Sequence, residues 1–142
     1  MEERPWNGMN WVRQSTRLAI YLRDGLACVY CSAAVESEGT RLTLDHLRPH
    51  VRGGDNDPKN LVTACKRCND SRGKRPLATF ARATAAYLDR GAAADAILAH
   101  VAACRRRALP RAEARRLLEQ RGSVAQVLAE EQRGRRAAVY LS

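Results

Sequence analysis

Asn60-Leu61-Val62-Thr63-Ala64-Cys65-Lys66-Arg67-Cys68-Asn69 is the stretch on which the fold turns. An apolar run, Leu61 to Ala64, re-enters the core and leads straight into a C-x-x-C pair. A helix is expected from about Cys65 to Arg72, stopped by Gly73. A second pair lies upstream, Cys28-Val29-Tyr30-Cys31, with 33 residues between the two. Two thiolates two residues apart bind one ion from a single turn, and two such turns complete a closed tetrahedral site. Cys28, Cys31, Cys65 and Cys68 are therefore the expected ligands of a structural Zn²⁺ that closes a long loop in a small domain. The rival is four reduced thiols that never meet. Cys104 falls outside this spacing and reads as a small buried hydrophobe. Five cysteines, an odd number, with no secretory pattern after Met1, argue against a disulfide framework and for a cytoplasmic setting.

Between the pairs, Arg41-Leu42-Thr43-Leu44-Asp45-His46 alternates polar and apolar as a half-buried strand does. Before it, Glu36 to Thr40 reads as a hairpin loop. After it, Pro49, Gly53-Gly54, Asp55-Asn56-Asp57 and Pro58 form a long loop of structure breakers. Upstream, a short helix is expected from Trp11 to Arg23, ended by Asp24-Gly25, and the opening is loosely structured. Downstream, four helices follow: Thr79 to Arg90, Ala92 to Arg107, Pro110 to Arg121, and one opened by the capping box Ser123-Val124-Ala125-Gln126. Arg133 to Ser142 is expected to fray. The expected division is an N-terminal segment 1–12, a core 13–76 and a helical extension 77–142.

The chain has 142 residues, and 25 Lys+Arg against 15 Asp+Glu give a net charge of +10, with Arg supplying 22 of the cations. So basic a balance points to a polyanion, nucleic acid above all. The competing reading is plain composition, since Ala is also abundant at 24. No apolar run is long enough to cross a bilayer, so no membrane partner is expected.

Three stretches together resemble the HNH endonuclease family: Leu44-Asp45-His46-Leu47-Arg48-Pro49-His50-Val51-Arg52-Gly53-Gly54, then Asn60 to Asn69 as quoted, then Arg72-Gly73. Tyr21 to Gly25 and the first cysteine pair look like the family's entry to this motif. The resemblance covers about Arg13 to Arg75. It implies an α+β fold, a small ββα-metal core with a four-cysteine zinc site, followed here by the α-helical C-terminal extension. It also implies hydrolysis of phosphodiester bonds in DNA. His46 is then the general base that activates water, a role its ordinary pKa range suits. Asp45 and Asn69 offer oxygen ligands to a hard divalent cation, Mg²⁺ or Mn²⁺, leaving positions for water and phosphate. Asn60, the middle letter of the motif, is expected to hydrogen-bond across the loop and hold His46 in orientation. Adjacent strand residues point to opposite sides, so Asp45 and His46 require a local bend. Arg48, His50, Arg52, Arg72, Lys74 and Arg75 are the expected DNA contacts, setting affinity rather than sequence choice.

Two departures bear on the site. The third family position is often His and here is Asn69, an H-N-N variant. One helical turn later some relatives carry another ligand, where this chain has Gly73, so few protein groups hold the catalytic ion. The same pattern also resembles phage Holliday-junction resolvases of this superfamily, within the metal core alone. Two other classes compete with a nuclease: a non-catalytic zinc-containing DNA-binding module and a zinc-stapled protein-interaction domain. A monomer suits nicking and a homodimer suits a double-strand break.

Overall fold

The computed structural model describes residues 12–34, 41–49, 53–88 and 93–141. The expected hairpin loop at Glu36–Thr40, the first eleven residues, and the candidate contacts His50 and Arg52 lie outside the described residues.

Two strands form the centre. β1 (Leu42–His46) pairs antiparallel with β2 (Leu61–Cys65), with Leu42 opposite Cys65, Leu44 opposite Thr63 and His46 opposite Leu61. Every residue of β2 is buried. A single 3-10 turn, Pro58–Asn60, delivers the chain into β2, and its cap is Asp57, whose carboxylate accepts the Lys59 N–H at 2.8 Å. Helix α2 (Lys66–Arg72) follows without a break, and Gly73, at φ +54°, ends it.

Around this ββα unit lie α1 (Gln14–Arg23), α3 (Leu77–Leu88), α4 (Ala94–Arg106), α5 (Arg111–Arg121) and α6 (Val124–Leu141). Gly122 stops α5 in the left-handed conformation, φ +96°. The expected capping serine then opens α6, its Oγ accepting the Gln126 N–H at 3.1 Å. α6 continues to Leu141, where fraying was expected from Arg133: no glycine cap or proline interrupts the later turns except Gly134, which a helix tolerates at a cost of about 1 kcal/mol.

The hairpin separates two hydrophobic clusters. On one side, Leu18, Ile20 and Tyr21 of α1 pack with Leu42, Leu44 and Leu61 and with Ala114, Val124 and Val127 of α5 and α6. On the other, the four cysteines, Val62 and Ala64 pack with Phe80 and Ala81 of α3 and Ile97, Val101 and Cys104 of α4. Burying one such Leu, Ile or Phe contributes about 1.5–3 kcal/mol, so both clusters matter to stability. Residue 76 therefore does not divide two cores: the helical extension completes both clusters.

Polar ties fix α1 to the hairpin. The Tyr21 hydroxyl donates to the Leu42 carbonyl at 3.2 Å. Arg23 and Asp24 form a fully buried ion pair at 2.8 Å, in which Arg23 also donates to the Leu61 carbonyl and Asp24 accepts the Thr63 N–H. Among the described residues no helix is long and apolar enough to cross a membrane.

Candidate active site and metal centre

The two cysteine pairs meet. The sulfurs of Cys28, Cys31, Cys65 and Cys68 lie within 4.8 Å of one another, all four residues buried. Four sulfurs at the usual Zn–S distance of about 2.3 Å in a tetrahedron stand about 3.8 Å apart, and the Cys31 and Cys65 sulfurs are separated by 3.8 Å. Backbone N–H groups of Tyr30 and Cys68 donate to the sulfurs of Cys28 and Cys65, each at 3.4 Å. These bonds stabilise thiolates without adding a ligand. Hydrogen bonds among the four sulfurs hold Cys31 far below its ordinary value and bring Cys65 down to about 6, while Cys28 and Cys68 are raised, so without an ion the group shares protons between its members. A buried set of four sulfur donors this close together fits zinc. The Val29 N–H, inside the first pair, donates to the Thr63 carbonyl at 3.0 Å and so fastens this turn to β2.

α2 lies against β1 and carries the next residues. Cys68, Asn69 and Arg72 share one side of it by their spacing of one and four. Both hydrogen bonds of the Asn69 amide nitrogen go to β1, to Thr43 Oγ1 at 2.9 Å and the Leu44 carbonyl at 3.0 Å. That fixes the amide plane and leaves its carbonyl oxygen as the atom to offer an ion. Asp45 lies on the same face of β1 as Thr43 and is 5% exposed. Its Oδ2 accepts from Arg72 at 2.7 Å and from the Tyr30 hydroxyl at 2.5 Å. Burial, with the Asp45 carboxylate beside it, raises the Tyr30 phenol well above its ordinary value, so it remains a donor. Asp45 Oδ1 is the oxygen outside this pair of contacts.

Arg72 departs from expectation. Proposed from sequence as a DNA contact, it is 1% exposed and its guanidinium serves Asp45 and the carbonyls of His46, Leu47 and Arg75. The inward position on α2, one turn after Cys68, is the signal that sequence reading had available.

His46 ends β1, with its Nε2 2.8 Å from Asn56 Oδ1. Asn60 hydrogen-bonds across the loop, and Asn56 is the residue that meets His46. The Asn60 side chain accepts from the Arg48 N–H at 2.9 Å and donates to the carbonyls of Asp55 at 2.8 Å and Arg48 at 3.2 Å. The chain folds so closely here that a Cβ on Gly54 would overlap the Arg48 carbonyl. Asn56, the residue that meets His46, was one letter of a turn-forming Asp-Asn-Asp run, and nothing in that run singles it out.

The family model for HNH endonuclease matches residues 28–75. Those residues are similar to HNH endonuclease domains. Two curated relatives match part of the chain. The CRISPR-associated endonuclease Cas9 of Corynebacterium diphtheriae is 35% identical over 63 residues, 44% of this chain and 6% of the relative. That of Actinomyces naeslundii is 37% identical over 60 residues, 42% of this chain and 5% of the relative. The chain thus spans about one-twentieth of the length of these relatives. No solved structure matches it. Of the remaining candidate contacts of the HNH domain, Arg48 and Lys74 are exposed. Arg75 is half-buried, lying 5.2 Å over the Phe80 ring and donating to the Ser71 carbonyl.

Proposed function

We propose that this protein is a metal-dependent endonuclease that hydrolyses phosphodiester bonds in DNA inside the cell, with a structural Zn²⁺ on Cys28, Cys31, Cys65 and Cys68. The observation that carries the reading is the seating of Asn69 and Asp45 on one face of β1, each with one side-chain atom anchored and one oxygen left over. Asp45 Oδ1 and the Asn69 carbonyl oxygen are the atoms to hold the catalytic cation, Mg²⁺ or Mn²⁺. When bound, that cation supplies Lewis acidity at the phosphate and at the leaving oxygen.

The protein's own groups do the rest. Asn56 Oδ1 only accepts hydrogen bonds, so its bond to His46 fixes the proton on Nε2 and the lone pair on Nδ1. His46 is the group that takes a proton from the attacking water. Asn60 holds the turn between Arg48 and Asp55 and so keeps Asn56 in reach. Arg48, Lys74 and Arg75 are the phosphate contacts, together with His50 and Arg52.

The test is supercoiled plasmid incubated with the protein in Mg²⁺, Mn²⁺ or EDTA, beside His46→Ala. Open-circle or linear DNA that requires metal and is lost in the variant is the expected result. Open circle alone indicates one active site at a time, and linear product indicates two acting together. A non-catalytic zinc-containing DNA-binding module is the second reading, favoured by the neutralisation of Asp45 in its buried pair with Arg72. Salt-sensitive DNA retention without cleavage of supercoiled, linear or branched DNA would replace the first reading by this one.

A further inference from the structure

A cleft of about 360 Å³ opens where α4 ends and α5 begins, against the turn that leads into β2. Lys59, Arg105, Arg106, Arg107 and Arg111 line it, with Asp57 as the carboxylate among them. Arg23 also reaches its floor but is already matched by Asp24. Five cations crowd one hollow beside a single acid whose Oδ1 already caps the turn. We infer that this cleft is a binding site for the phosphate backbone of the duplex that the HNH domain cuts, an inference that rests on the proposed function.

Three of these exposed arginines are tied by a hydrogen bond to another segment of the chain. Arg105 Nε donates to the Lys59 carbonyl at 2.7 Å, Arg107 Nη1 to the Arg23 carbonyl at 3.1 Å and Arg111 Nη1 to Thr16 Oγ1 at 3.4 Å. Each spends one of the five N–H donors of a guanidinium, which orients the fork and leaves donors for an anion. Leu109, packed on the α1 cluster, holds the corner between the helices. Like charges gathered this way repel, and a polyanion relieves the repulsion. Each diester carries one negative charge, so five cations from three segments match several successive phosphates rather than one ion.

Position joins the cleft to the chemistry. Lys59 is two residues before Leu61, which is paired with His46. The cleft therefore continues beyond the His46 end of the hairpin, and the helical extension serves as a grip on DNA flanking the cut.

The experiment measures binding without cleavage. His46→Ala protein in EDTA is titrated with a fluorescent duplex of about 30 base pairs over a range of salt, with and without Lys59→Glu/Arg106→Glu. The cleft variant is expected to bind about tenfold more weakly, and its log–log salt slope to fall by about two, close to 0.9 for each lost phosphate contact. The equal charge change Arg82→Glu/Arg121→Glu, on surfaces away from the cleft, is expected to change the slope by less than about half as much. An unchanged affinity and slope in the cleft variant, or equal losses in both variants, overturns the site in favour of diffuse charge. If charge reversal lowers the melting temperature, Lys59→Gln/Arg106→Gln repeats the comparison with the same criteria. Loss of binding in the cleft variant of a protein that never cuts DNA would leave this site standing and remove the nuclease reading. Metal-dependent cutting with undisturbed binding in the cleft variant would do the reverse.

Discussion

Arg72 is the residue on which several parts of the molecule depend. It joins the carboxylate of Asp45, the hydroxyl of Tyr30 and three main-chain carbonyls from a position that water hardly reaches. Removing one partner of a buried pair leaves the other charge stranded, which costs about 3–5 kcal/mol. Arg72→Ala is therefore expected to lower the urea midpoint by a stability loss of that size. Arg72→Lys is expected to recover only part of it, since an ammonium offers three donors from one point where the guanidinium forks to several acceptors. A Lys variant as stable as the parent would contradict this account. Tyr21 gives a pH signature. Burial raises its phenol from the ordinary 10 to about 12. Below pH 10 it is neutral in both folded and unfolded chains; above 10 the unfolded chain ionises first, so stability falls as pH rises toward 12, by about 3 kcal/mol for this group. Tyr21→Phe should remove that part of the alkaline loss while costing about 1 kcal/mol at neutral pH for the bond to Leu42. Urea titrations from pH 8 to 12 check both.

At the scale of elements, the cysteine pairs act as the staple between the turn at Cys28–Cys31 and the β2–α2 junction. Cys65 does double duty, since its sulfur also caps α2 by accepting the Cys68 N–H. Cys65→Ser is expected to release zinc and unfold residues 13–75, because the binding free energy of a structural zinc, about 10 kcal/mol or more, is folding free energy here. Retained zinc by metal analysis with an unchanged melting curve would count against the four-cysteine centre. The elements themselves were legible in sequence. Alternation marked β1, the Asp24-Gly25, Gly73 and Gly122 stops marked helix ends, and Ser123 marked the start of α6. Those signals are local, carried by residues within a turn of one another. What escaped was partnership over distance: Arg72 with Asp45 across 27 positions, and Asn56 with His46 across ten. An arginine in a basic chain looks like surface charge until the helix that carries it is laid against a strand.

At the scale of the molecule, the helical extension is part of the architecture that presents the site. Ala114, Val124 and Val127 close one cluster, and Phe80, Ala81, Ile97, Val101 and Cys104 close the other. A chain ending at residue 76 would keep α1, α2 and the four cysteines but lose the partners that α3 to α6 supply to both clusters, and so small a remnant core is at best marginally stable in water. Such a truncation is expected to show no cooperative melting by circular dichroism, with or without added zinc. A sharp zinc-dependent transition would mean that the ββα unit stands alone.

The outward-facing main chain of the hairpin has one more consequence. In an antiparallel pair, alternate residues direct their carbonyls and N–H groups away from the partner strand. Here the carbonyls of Leu42, Leu44 and His46 accept from Tyr21, Asn69 and Arg72, those of Leu61 and Thr63 accept from Arg23 and Val29, and the Thr63 N–H donates to Asp24. Side chains and a turn thus occupy most of the acceptors that a third strand would need, which makes either edge a poor template for strand addition by a second copy of this chain or by a cross-β aggregate.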